Sequence, residues 1–151
     1  MTIHRLFSKD PNDEEENVTQ NIYVFRFILF CIIVYSFEML LNSVDIFIVD
    51  KTIFTRGYVT GCLFAAVYVL ILLHLGLEHP LTKYVSITAV SLIIMAASVS
   101  LTYHMIIIIM MPIIIAGMYT SKQLSIYTFV LTVLSIIIST YACLLYTSPS
   151  P

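Results

Sequence analysis

KYVSITAVSLIIMAASVSLTYHMIIIIMMPIIIAGMYTSKQLSIYTFVLTVLSIIISTYA, residues 83–142, holds no Asp, Glu or Arg, and its only charges are Lys83 and Lys122. A single membrane crossing needs about 20 apolar residues, so a run of about sixty is too long for one and too apolar for a soluble core. It must fold back on itself in a bilayer, where only a helix satisfies its own backbone in a single segment. The isoleucine runs 106–109 and 113–115 would favour strands in water, but that constraint overrides β propensity in lipid. Two polar breaks, Thr102-Tyr103-His104 and Tyr119-Thr120-Ser121-Lys122-Gln123, divide the run into helices expected at about 85–101, 105–118 and 124–142.

The rest of the chain agrees with this reading. Of 151 residues, 60% are hydrophobic and 11% charged, with a mean hydropathy of +0.98. An ordinary soluble domain carries roughly 25% charged residues. The fold class expected is therefore all-α, a polytopic transmembrane bundle of about five spans, with the lipid bilayer as its first partner. A net charge of −2 offers no basic surface, so nucleic acid is not an expected partner.

Residues 1–20 form a polar leader, with His4, Arg5 and Lys9 followed by the acidic run 13–16, expected to lie loosely at the membrane face. No cleavage site follows it, so the first apolar segment, 22–41, reads as an uncleaved anchor. Residues 42–56 read as an external connection apolar enough to hug the interface, and 57–75 as the second span, in which Gly61, Ala65 and Ala66 make a small-residue face. A tight turn at 76–82, punctuated by Pro80, leads into the third span. That span is rich in Ser, Thr and Ala, which favour helix contacts over lipid contacts. With the N-terminus inside, Arg5, Lys9, Lys83, Lys122 and nearby Arg26 are cytoplasmic, against Lys51 and Arg56 outside. The positive-inside rule therefore predicts a cytosolic N-terminus, and the location expected is the cell membrane.

Glu38, Tyr103, His104 and Pro112 stand out as candidates for signal sensing or switching. Glu38 and Arg26 are charged within a span, a functional hint by default. Twelve residues separate them, about 18 Å along a helix, so they cannot pair within it. Arg26 can snorkel to the inner face, and Glu38 either snorkels to the outer face or turns into the bundle to bind a ligand. His104, beside Tyr103 at an outer turn, is either part of an interfacial anchor or a group that titrates near neutral pH. Pro112 removes a backbone hydrogen bond from the middle of the fourth span, so a kink is expected there, either static or a hinge. Cys31, Cys62 and Cys143 lack metal-ligand or redox spacing, and His74 and His79 lack partners for a metal site. No catalytic residue, resident cofactor or metal site is expected in this chain.

Residues 143–151, CLLYTSPSP, resemble the translated sequencing-adapter tail that ends many reading frames of assembled environmental DNA. They are expected to be non-native, with the natural chain continuing beyond about Ala142. Thr102-Tyr103-His104, Met111-Pro112-Ile113, Ala116-Gly117-Met118-Tyr119 and the helix opened by Ile126-Tyr127-Thr128-Phe129-Val130-Leu131-Thr132-Val133-Leu134-Ser135 carry a second resemblance. Over roughly residues 20–142 the chain resembles the N-terminal multi-span sensor region of GGDEF-domain proteins of Firmicutes, the diguanylate cyclases. The resemblance implies a sixth span and a cytoplasmic domain that, as a dimer, condenses GTP to cyclic di-GMP with Mg. The motif that holds metal and GTP is absent from these residues, so no catalytic position is carried over. This chain would then supply anchoring, response to a small-molecule or membrane signal, and homodimer contacts through the bundle. The alternatives are the membrane region of a sensor histidine kinase and a stand-alone membrane protein or transporter component. The second is weakened because only Pro112 breaks a span and no mirrored segment answers it.

Overall fold

The computed structural model describes the backbone of residues 11–46, 50–101 and 106–147, and the side chains of 17–46, 50–100 and 108–142. Those residues form an all-α bundle: α1 (Pro11–Ser43), α2 (Lys51–Leu75), α3 (Thr82–Leu101), α4 (Ile106–Ile109), α5 (Met111–Gly117) and α6 (Lys122–Thr147). Within α1, α2, α3 and α6, four segments are long and apolar enough to cross a membrane: Asn17–Ser43, Lys51–Leu75, Thr82–Ser100 and Lys122–Ala142.

The starts of the first two helices depart from the sequence expectation, for local reasons. α1 begins at Pro11, inside the expected leader, rather than near residue 22. Proline suits a first helical turn, and the acids at 13–16 fall where the helix dipole favours negative charge. α2 begins at Lys51 rather than near 57, because Asp50 caps it: one carboxylate oxygen accepts from the backbone N–H of Thr52 at 2.8 Å and of Ile53 at 3.1 Å. In the α1–α2 connection, Asp45 takes a left-handed φ of 60° and pairs with Lys51 at 2.8 Å. α2 stops at Gly76, whose φ of +79° suits glycine and whose N–H returns to the Leu72 carbonyl at 2.9 Å. The Thr82 hydroxyl then donates to the Gly76 carbonyl at 2.8 Å, pinning the start of α3 to the end of α2.

The fourth expected span, 105–118, is two short helices. α4 ends at Ile109 and α5 starts at Met111, with Pro112 in the first turn of α5, where its missing N–H costs nothing. Bonding resumes when the Ile113 N–H donates to the Met110 carbonyl at 3.0 Å. The interruption therefore lies where the proline ring denies the helix a donor and crowds the preceding turn.

The centre of the bundle is α3, which touches each of the other five helices. In its apolar stretch 56% of residues are buried, against 17% in the apolar windows of α1 and α2 and 28% in that of α6. Ile87, Val90, Ile93 and Ile94 form its apolar interior alongside buried Ser86, Ser91, Ser98 and Ser100. The two serines nearest its C-terminal end bond back to the carbonyls four residues earlier, Ser98 to Ile94 and Ser100 to Ala96, each at 2.8 Å. With their hydroxyls occupied, they act as small residues that let neighbouring helices come close. α6 presents a matching face, with Leu124, Thr128, Thr132, Ser135 and Ser139 buried at helical spacing, and packs on α3 and α5.

Candidate functional site

Long-range polar contacts gather at the two ends of the bundle. At the first end, the N-terminal part of α1 meets the α2–α3 turn and the α5–α6 junction. Asn21 is 2% exposed. Its amide nitrogen donates to the Leu77 carbonyl at 2.8 Å, while its oxygen accepts from the Tyr119 hydroxyl at 2.8 Å. One residue earlier, the Gln20 amide donates to the Met118 carbonyl at 2.6 Å. Burial, with a smaller contribution from nearby Tyr68, pushes the Tyr119 hydroxyl above the ordinary tyrosine range, so it stays protonated and remains a donor. Tyr68 of α2 shares a hydrogen bond with Ser86 of α3 at 3.0 Å nearby in the chain's interior. These contacts bring Lys83 and Lys122, which open α3 and α6, to one end of the bundle.

At the opposite end the contacts are aromatic. Tyr35 of α1 stacks edge-on against Phe54 and Tyr58 of α2, each with ring centroids 5.4 Å apart. Its hydroxyl bonds to Ser100 of α3 at 2.9 Å, and Ser36 bonds to Tyr58 at 2.9 Å. This close approach depends on glycine. A Cβ on Gly57 would overlap the Ser100 hydroxyl and lie 2.9 Å from the Tyr35 oxygen, while one on Gly61 would lie 3.3 Å from the Tyr35 ring. Gly57-Tyr58-Val59-Thr60-Gly61 has the G-x-x-x-G spacing that lets membrane helices pack backbone to side chain.

Between the ends runs a crevice of about 210 Å³. α1 supplies Phe27, Cys31, Val34 and Glu38, α3 supplies Ile94 and Ala97, and Ile108 and Met111 close the far side around the α4–α5 break. Its surface is almost wholly apolar, although Tyr35, Glu38 and Ser98 are among the lining residues. Glu38 is half-buried, and among the described residues it has no salt-bridge partner.

The sequence candidates therefore fall in different places. Glu38 lines the crevice, while Arg26 is exposed. Pro112 is fully buried at the break that borders the crevice. Tyr103 and His104 lie outside the described residues. His74 and His79 are exposed, and His79 Nδ1 accepts from the Leu81 N–H at 3.2 Å. Among the described residues no three His, Cys, Asp or Glu side chains gather as metal ligands would. Asn21, Tyr35 and Gly57 are also structurally central; of these only Gly57 carries a sequence signal, the G-x-x-x-G spacing, while Tyr119 belongs to the second polar break. Compared with protein-family models, curated proteins and solved structures, the chain matches none.

Proposed function

We propose that this chain is the membrane-embedded signal-input and anchoring region of a bacterial signalling protein, with its N-terminus in the cytosol and a diguanylate cyclase as its parent. The observation that carries the reading is the way the N-terminal part of α1, the α2–α3 turn and the α5–α6 junction are tied by Asn21, Gln20 and Tyr119 into one unit. A change felt between the helices would reach that end as a shift of a connected body, the requirement for a two-state input device. The GGDEF resemblance supports the identity of the output, and the placement of the basic residues supports the orientation. GTP and Mg belong to the output domain, and homodimerisation through the bundle would bring two such domains together.

Two measurements test this. The genomic reading frame past Ala142 should run through a sixth span into a Gly-Gly-Asp/Glu-Glu-Phe domain. A phosphoacceptor-histidine helix there would transfer the input role to a sensor kinase, and a stop codon would leave a stand-alone membrane protein. Single-cysteine labelling at Lys83 and Lys122 in intact cells should find both shielded and Lys51 accessible; opposite exposure of Lys83 and Lys122 would end the topology.

A further inference from the structure

We infer that the α5–α6 junction, residues 118–121, is a strained clasp: α1 holds Thr120 in a left-handed backbone conformation, and release of α1 lets the junction relax and shifts the start of α6. The inference rests on the signal-input reading and deepens it by naming the element that switches.

The two turns that close this end of the bundle are built differently. At the α2–α3 turn the left-handed position is Gly76, with a φ of +79°, and glycine adopts that region without a steric cost. At the α5–α6 junction it is Thr120, with a φ of 47°. A β-branched side chain crowds its own backbone there. The Thr120 side chain is exposed, so burial does not offset the crowding. Gly117, three residues earlier, lies inside α5 and does not take the turn.

What holds Thr120 is the grip on the residues before it. The chain leaves α5 through tight bonds, from the Met118 N–H to the Ile115 carbonyl at 3.1 Å, Tyr119 to Ala116 at 3.2 Å and Thr120 to Gly117 at 3.4 Å. α1 takes hold of two of these residues from outside: the Gln20 amide on the Met118 carbonyl, and the Asn21 oxygen on the Tyr119 hydroxyl. Asn21 also holds the Leu77 carbonyl beside Gly76, so one amide spans both turns. When α1 lets go, the α2–α3 turn has no strain to shed, whereas the α5–α6 junction does. The movement passes to α6, whose apolar stretch is 28% buried against 56% for α3, so the bundle grips it less. Strain also brings the clasped and relaxed states closer in energy, as a two-state input requires.

Amide hydrogen exchange of the full chain in dodecyl maltoside micelles reads the opening of each turn, as protection factors for Met118 and Tyr119 at the junction and for Gly76 and Thr82 at the other turn. Thr120→Gly accepts a left-handed φ and should raise junction protection roughly threefold or more. Thr120→Val keeps the β-branch without the hydroxyl and should leave protection unchanged. Tyr119→Phe loosens the grip and should lower junction protection roughly threefold, while Gly76 and Thr82 keep theirs. Protection that is unchanged or lower in Thr120→Gly would show that Thr120 carries no strain, and would overturn the inference. So would a loss of protection in Thr120→Val, which would make the hydroxyl and not the backbone the holding element. An equal loss at both turns in Tyr119→Phe, or none at either, would overturn it as well. No signalling output enters these measurements, so their failure leaves the input reading standing with that end moving as one body, and failure of the reading-frame test leaves the clasp standing.

Discussion

The two ends of the bundle are closed by different physics. Where α1 begins, Asn21, Gln20 and Tyr119 reach across the chain to backbone carbonyls and to each other, so geometry there is set by directional hydrogen bonds. Where α1 ends, Tyr35 sits against Gly57, Gly61, Phe54 and Tyr58, and geometry is set by shape, with Ser100 supplying the main polar tie. A hydrogen-bonded end tolerates small changes of volume but not loss of a partner. A shape-matched end tolerates loss of a hydroxyl but not an added methyl group. The contrast teaches that helix association here does not draw on apolarity, which lipid supplies everywhere, but on small residues at one end and buried amides at the other.

The largest effect should come from Gly57→Val. The added atoms have no room beside Ser100 and Tyr35, so a loss of about 1–3 kcal/mol or more is expected, read as a lower midpoint of thermal unfolding in detergent. A neutral result would show that the end is not shape-matched. Next is Asn21→Leu, which removes the bonds to the part-buried Leu77 carbonyl and to the buried Tyr119 hydroxyl and should cost about 1–3 kcal/mol in the same assay. Tyr119→Phe removes one of those bonds and should cost about 0.6 kcal/mol, the average for hydrogen bonds between membrane helices. Combined with Asn21→Leu its effect should not add, and simple additivity in that double-mutant cycle would dissolve the distinction between the ends. Smallest is Tyr35→Phe, expected to cost under about 0.6 kcal/mol because packing, not the hydroxyl, holds that end. A loss larger than that of Gly57→Val would reverse the assignment.

Much of this architecture was legible from residue order. The all-α class follows from backbone satisfaction in lipid, the turn at Gly76 from local chemistry, and the break near Pro112 from a missing donor. Ser86, Ser91, Ser98 and Ser100 marked α3 as a helix that packs against helices, and it is the one the others surround. Other features were not legible. The most apolar segment, 105–118, is not the centre, because in a bilayer hydrophobicity does not rank helices by depth in the bundle. Asn21 stands at the border between leader and span, where an amide reads as an interfacial residue, and only the meeting of three distant segments reveals its partners. Asp50 could have been recognised as a cap, but the apolar residues before it draw the boundary later. The crevice along α1 needs the opposing faces of α3, α4 and α5, which residue order does not juxtapose.

The broken α4–α5 segment has a last consequence for the surrounding lipid. Its helical residues, 106–117, span only about 18 Å, against about 30 Å of hydrocarbon, while Ile108, Met110 and Ile114 present exposed side chains. Where the helical length alone faces lipid, a bilayer would meet that flank most cheaply by thinning locally, at a fraction of a kcal/mol for each ångström of mismatch. Thinner membranes would relieve this dimple and thicker ones deepen it, so acyl-chain length alone would load one side of the molecule and leave the flank formed by α2 untouched.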